Sequence, residues 1–194
     1  MNKWIIAALF LLPSVAWAGE MHADTAWQLD QQRSTLNFVS IKKGHVGEVH
    51  QFDRISGEIS GNTAQLDIDL SSVNTGIAIR NKRMQKHLFN VGRFTTATVT
   101  LTLDPALTTM KKGTMKRIKQ AIQLNLHGVT KSMNASLLII AMNDGLIVTT
   151  VKPIMLHAAD FSLTAGIEQL RNLAKLPSIA SVVPVTLQLY FKRP

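Results

Sequence analysis

Cysteine is absent from the 194-residue sequence. Disulfides, thiolate metal sites and thiol nucleophiles are therefore excluded together. Acid is scarce as well: 12 Asp and Glu stand against 21 Lys and Arg, a formal net charge of +9 at pH 7. No apolar run reaches the roughly 20 residues that a membrane-spanning helix needs. There is no G-x-S-x-G elbow, no phosphate-cradling glycine loop and no H-E-x-x-H pair, so no catalytic centre of those kinds is nominated. Internal repeats, low-complexity tracts and domain linkers are also missing, and the length suits one domain with a real core.

What is present begins with an export signal. Met1-Asn2-Lys3 is a short basic start, Trp4 to Leu12 an apolar run, and Ala16-Trp17-Ala18 an A-x-A cleavage site. That order spells a secretory signal peptide over residues 1–18, cut after Ala18, with the functional domain over residues 19–194. The mature chain loses only Lys3 among its charges and stays basic. A disulfide-free domain of this size suits a bacterial periplasm. Export also removes nucleic acid as a partner, although basic chains inside cells commonly bind it.

After a polar lead-in, Gly19 to Ala26, the pattern is that of strands. Leu36 and Phe38 share one face of 34–41. Phe52, Ile55 and Ile59 mark a strand over 49–59, with Gly57 as a bulge or close-approach point. Leu66, Ile68 and Leu70 alternate with Asp67 and Asp69, and Val99, Leu101 and Leu103 alternate with threonines. Residues 121–126, 133–140, 146–156 and 182–191 bring the number to about eight, with Leu124, Leu137 and Leu187 on apolar faces. Asn143-Asp144-Gly145 accepts positive φ cheaply and predicts a hairpin. In LNLHGVTKSM, residues 124–133, the His127-Gly128 pair reads as another tight reversal, which gives His127 a structural role.

Two stretches break the alternation. Ile77, Met84 and Leu88 fall at helical spacing over 76–89, with Arg80, Lys82, Arg83 and Lys86 between them. Ile167, Leu170, Leu173 and Ala174 form a stripe that Pro177 ends. Eight antiparallel strands with one apolar face each make a sandwich or a closed barrel, and the pattern alone does not separate them. An eight-stranded barrel is either filled by its own side chains or holds one small ligand.

The polar residues carry little chemistry of their own. His45 and His50 are five apart, which puts them on opposite faces of a regular strand, so no metal site is read there. Asp160 near His157 reads as a turn residue. Lys111, Lys112, Lys116, Arg117 and Lys119 form a charged hairpin, and Arg80 to Lys86 a basic helix face. Both are solvated surface or a means of meeting anionic lipid headgroups.

STLNFVSIKK, QFDRISGEI, DLSSVNTGIAIRN, LNLHGVTKSM and ADFSL, followed by VPVTLQLYF, occur in an order that resembles the YceI family, exported bacterial lipocalin-like proteins associated with polyisoprenoids and related lipids. The chain departs from the family pattern at Lys43 (often His), Asn81 (usually Asp), Ala158 (often Arg) and Ser162 (usually Gly). The resemblance implies an all-β, eight-stranded antiparallel lipocalin-like barrel with two short helices and a hollow apolar tunnel. It implies a periplasmic carrier or store for a polyisoprenoid, an isoprenoid quinone or an acyl lipid, with no enzymatic activity and no metal or other cofactor. The tunnel candidates on the first strands are Leu36, Phe38, Phe52, Ile55, Leu66 and Ile68. The first helix and the segment after it offer Met84, Leu88, Phe89 and Phe94. Later elements add Val99, Leu101, Leu124, Leu137, Phe161 and Leu187. Arg80, Asn81, His87 and Asp160 are the polar candidates at the tunnel mouth. The contrasting reading is a basic envelope protein with a filled core that acts at anionic membranes. Self-association into a homodimer is left open.

Overall fold

In the computed structural model, residues 26–194 are described; the signal peptide expected over residues 1–18 and nearly all of the expected polar lead-in lie outside them. The chain runs up and down through β1 (Trp27–Leu29), β2 (Thr35–Lys42), β3 (Val46–Phe52), β4 (Ile55–Ser60), β5 (Thr63–Asp69) and β6 (Val73–Asn74). It continues through β7 (Thr96–Thr102), β8 (Met115–Leu126), β9 (Val129–Ala141), β10 (Gly145–Thr150), β11 (Ile154–His157) and β12 (Val182–Lys192). Four pairs, β1/β2, β3/β4, β5/β6 and β10/β11, are single staves with a break in the middle, so the twelve segments make eight staves. Each stave pairs antiparallel with the next. The last, β12, closes the ring by pairing with β1 and β2 on one side and with β10 and β11 on the other. The result is a closed eight-stranded antiparallel barrel, which leaves no long unpaired edge.

The breaks have local causes. A single strand was expected over 49–59, yet β3 and β4 separate at Asp53-Arg54. There the backbone turns to Ser72 and Asp69 instead, with Asp53 N–H donating to Ser72 O and Arg54 O accepting from Asp69 N–H, both at 3.1 Å. The expected strand over 146–156 breaks before Pro153, which cannot donate to a ladder. The expected charged hairpin over 111–119 is instead a short turn followed by β8, which starts at Met115. Lys116, Arg117 and Lys119 lie exposed on that strand, where their charge masks the alternation.

Between β8 and β9, His127 (φ 54°) and Gly128 (φ 79°) are both left-handed, the backbone of a two-residue primed hairpin turn. The β1/β2 break is clasped from several sides. Asp30 accepts from the backbone N–H groups of Gln32 and Arg33, the Arg33 guanidinium lies 3.5 Å over the Tyr190 ring, and the Tyr190 hydroxyl donates to Asp144.

Two helical pieces sit outside the staves. α1 (Ala78–Arg83) runs into a π-helical turn, Met84–Phe89, between β6 and β7. α2 (Thr164–Leu173) follows a 3₁₀ turn, Ala158–Phe161, between β11 and β12. They pack on each other at Gly166, where an added Cβ would stand 2.7 Å from His87 O and 2.9 Å from Leu88 Cα.

Candidate functional site

Strand parity decides what the barrel encloses. On β8, Ile122, Leu124 and Leu126 face inward; on β9, Ala135, Leu137 and Ile139 do so, and on β12, Val185, Leu187, Leu189 and Phe191. They do not meet across the axis. They surround a cavity of about 220 Å³, more than ten times the ~10–15 Å³ that one water molecule requires. Among the described residues, no polar atom contributes to its surface. Leu88 and Phe89 of the π-helical turn and Phe161, Leu163 and Ile167 border it from the helical side. His157, an exposed residue, borders it there too.

Thirteen of the sixteen apolar residues expected at a tunnel line this wall: Leu36, Phe38, Phe52, Leu66, Ile68, Leu88, Phe89, Val99, Leu101, Leu124, Leu137, Phe161 and Leu187. Three do not. Ile55 and Met84 are buried in the core without reaching the cavity. Phe94 is taken up by the β8–β9 turn, its ring centroid 4.3 Å from that of His127. Wall residues such as Ile122, Ile139 and Phe191 lie beyond that set, although the same parity marks them.

None of the four polar mouth candidates borders the cavity. Arg80 is half-buried and donates to Glu48 at 2.8 Å and to the Thr75 carbonyl at 2.7 Å. Asn81 accepts from the backbone N–H and the hydroxyl of Thr75, at 2.9 and 2.6 Å, and so fixes the entry to α1. His87 belongs to the π-helical turn, where its carbonyl faces Gly166. Asp160 is exposed on the 3₁₀ turn.

A polar group does face inward, but at a place not anticipated. The parity that points Leu36 and Phe38 inward continues to Ser40 and Lys42 on β2, and from Phe52 back to His50 and Glu48 on β3. Ser40 Oγ and His50 Nε2 are 2.9 Å apart. Glu48 accepts from Lys42 and Arg80, each at 2.8 Å. Lys42, then Arg80, hold the Glu48 carboxyl below its usual range against the opposing effect of burial. His50 is 3% exposed, and burial first, then the Arg80 charge, pushes its imidazole down. His50 Nδ1 and Arg80 Nε are buried without a hydrogen-bond partner. The His50 ring packs edge-on to Phe38, with centroids 5.2 Å apart, and Phe38, Phe52 and Phe89 form a chain of ring contacts. Aromatic wall therefore passes directly into a polar inner rim.

The barrel is closed and its lumen is lined by hydrocarbon. A family model for the YceI-like domain matches residues 27–191. The chain belongs to the YceI family. Among solved structures, a polyisoprenoid binding domain from Saccharophagus degradans, implicated in plant cell wall breakdown, is 43% identical. That comparison covers 87% of this chain and 98% of the other, with a TM-score of 0.85. BcnA from Burkholderia cenocepacia shares the fold at 15% identity over 84% of this chain and 98% of its own, TM-score 0.67. A Campylobacter jejuni YceI protein shares it at 14% identity over 75% and 84%, TM-score 0.56. No match is found among curated proteins. Of the four residues read from the sequence as departures from the YceI pattern, Ala158 borders the cavity, whereas Lys43, Asn81 and Ser162 do not.

Proposed function

We propose that the mature protein is an exported carrier or store for one long apolar lipid, a polyisoprenoid, an isoprenoid quinone or an acyl lipid, held in the barrel lumen. The observation that carries this reading is the wholly apolar wall of a cavity far too large to be a packing defect. Empty apolar space loses dispersion contacts on every side, and a hydrocarbon chain restores them. Burying about 500 Å² of such a chain at ~25 cal/mol per Å² yields on the order of 12 kcal/mol before the costs of immobilising it. The polyisoprenoid-binding description of the Saccharophagus degradans domain supports the same ligand class. The hollow interior favours this reading over that of a basic envelope protein with a filled core.

Selection inside the lumen acts on length and shape, since an isoprenoid tail offers no hydrogen bonds. The protein is read as a binding protein and not as an enzyme: the wall presents hydrocarbon to its cargo. The signal peptide read from residues 1–18 supports work in the periplasm, and the basic surface favours encounter with anionic membranes. Purification without added lipid, solvent extraction and mass spectrometry test the proposal. A stoichiometric long-chain lipid is the expected result; a protein that stays empty and ignores added lipid overturns it.

A further inference from the structure

Residues 76–93 contain Arg80, Lys82, Arg83, Lys86 and Arg93 and no carboxylate. Arg80 is committed to Glu48, and Arg93 lies over the Phe94 ring at 5.0 Å. Among the described residues, no carboxylate stands within ion-pair distance of Lys82, Arg83 or Lys86. Just ahead of these cations the chain leaves two large apolar side chains in solvent, Ile77 at 48% and Ile79 at 56% exposure. The inner side of the same segment is different: Met84 is buried, and Leu88 and Phe89 border the lumen. The segment is flanked by left-handed residues, Gly76 (φ 71°) before it and Asn90 (φ 49°) after it.

An apolar tip backed by unpaired cations is the composition of a helix that lies in a bilayer interface. Ile77 and Ile79 stand next to the cations and both are about half exposed, so apolar surface and positive charge are offered side by side, which an anionic bilayer interface accepts together. We propose that this segment is where the protein docks on an anionic bilayer. Ile77 and Ile79 enter the headgroup–acyl boundary, Lys82, Arg83 and Lys86 meet lipid phosphates, and the helix-covered end of the lumen is brought against the membrane. The purpose assigned to docking rests on the carrier reading, but docking itself is measured without cargo.

The test is co-sedimentation of the full-length mature protein with phosphatidylcholine vesicles, with and without phosphatidylglycerol. K82Q/K86Q weakens binding to the anionic vesicles by roughly thirty-fold at low salt, since each cation near such a surface contributes about a factor of five. I77S/I79S weakens it by about tenfold or more, and this loss persists at high salt because it is apolar. K111Q/K112Q removes the same charge from the β7–β8 connection and changes binding by no more than about twofold. The docking proposal is overturned if the Ile77/Ile79 variant binds like the parent, or if the Lys111/Lys112 variant loses as much as the Lys82/Lys86 one. Circular dichroism and extracted lipid are followed in parallel. Variants that keep their lipid but leave the vesicles support docking and leave the carrier reading intact. A parent protein that docks yet never holds lipid overturns the carrier reading alone.

Discussion

Burial, with Arg80 as the next cause, holds the His50 imidazole below its ordinary value of 6.5. Between the lowered folded value and 6.5 the unfolded chain binds the extra proton, so stability rises with pH across that window and is lost as pH falls through it. Melting temperature is expected to fall from about pH 7 to about pH 5, and His50→Gln to flatten that slope. Asp30 belongs to a lower window: Arg33 brings its carboxyl from 3.8 to about 2, so its contribution is whole above the ordinary value and is lost as pH falls from there through about 2. Ser162 has φ 56° and ends the 3₁₀ turn exposed to solvent. A side chain there carries left-handed strain that glycine does not, so Ser162→Gly should raise stability by about 0.5–1 kcal/mol in a denaturant titration. Ser162 stands out in the sequence, but no local pattern there encodes its φ. The inward placement of His50 is hidden for another reason. Polar residues on an inward face look like surface residues until their strand partners, Ser40 for Glu48 and Phe38 for His50, are known.

At the level of elements, the helices act through their contact with each other. Gly166 lets α2 approach the π-helical turn whose Leu88 and Phe89 border the lumen. Gly166→Ala forces a Cβ against His87 O and Leu88 Cα, which are backbone atoms and yield little. The expected cost is about 1–3 kcal/mol, read as a lower melting temperature, together with faster loss of lipid as the helical cover loosens. Eight staves and two helical pieces were legible because period-2 alternation survives wherever one face is apolar. The breaks were harder to see. Pro153 marks the division of 146–156 within the sequence itself, whereas the step at Arg54 depends on Ser72 and Asp69, distant in sequence. The start of β8 was hidden by three cations, Lys116, Arg117 and Lys119, spaced around Ile118.

For the molecule as a whole, hollowness is the property on which function turns, and periodicity does not encode it. Phe38 or Leu124 would look the same in a filled barrel; only the distance across the axis distinguishes wall from packing. A small residue on the wall offers a direct probe. Ala135 is buried on β9 and borders the cavity, so Ala135→Phe projects a ring into the lumen. The variant should fold, with unchanged circular dichroism, yet yield little or no lipid on extraction; full loading would show that the cargo sits elsewhere. Closure itself hangs on one segment. One strand, β12, touches β1, β2, β10 and β11, and it comes from residues 182–192. Without that strand the ring is an open gutter with an oily lining, so a chain truncated before Val182 is expected to enclose nothing.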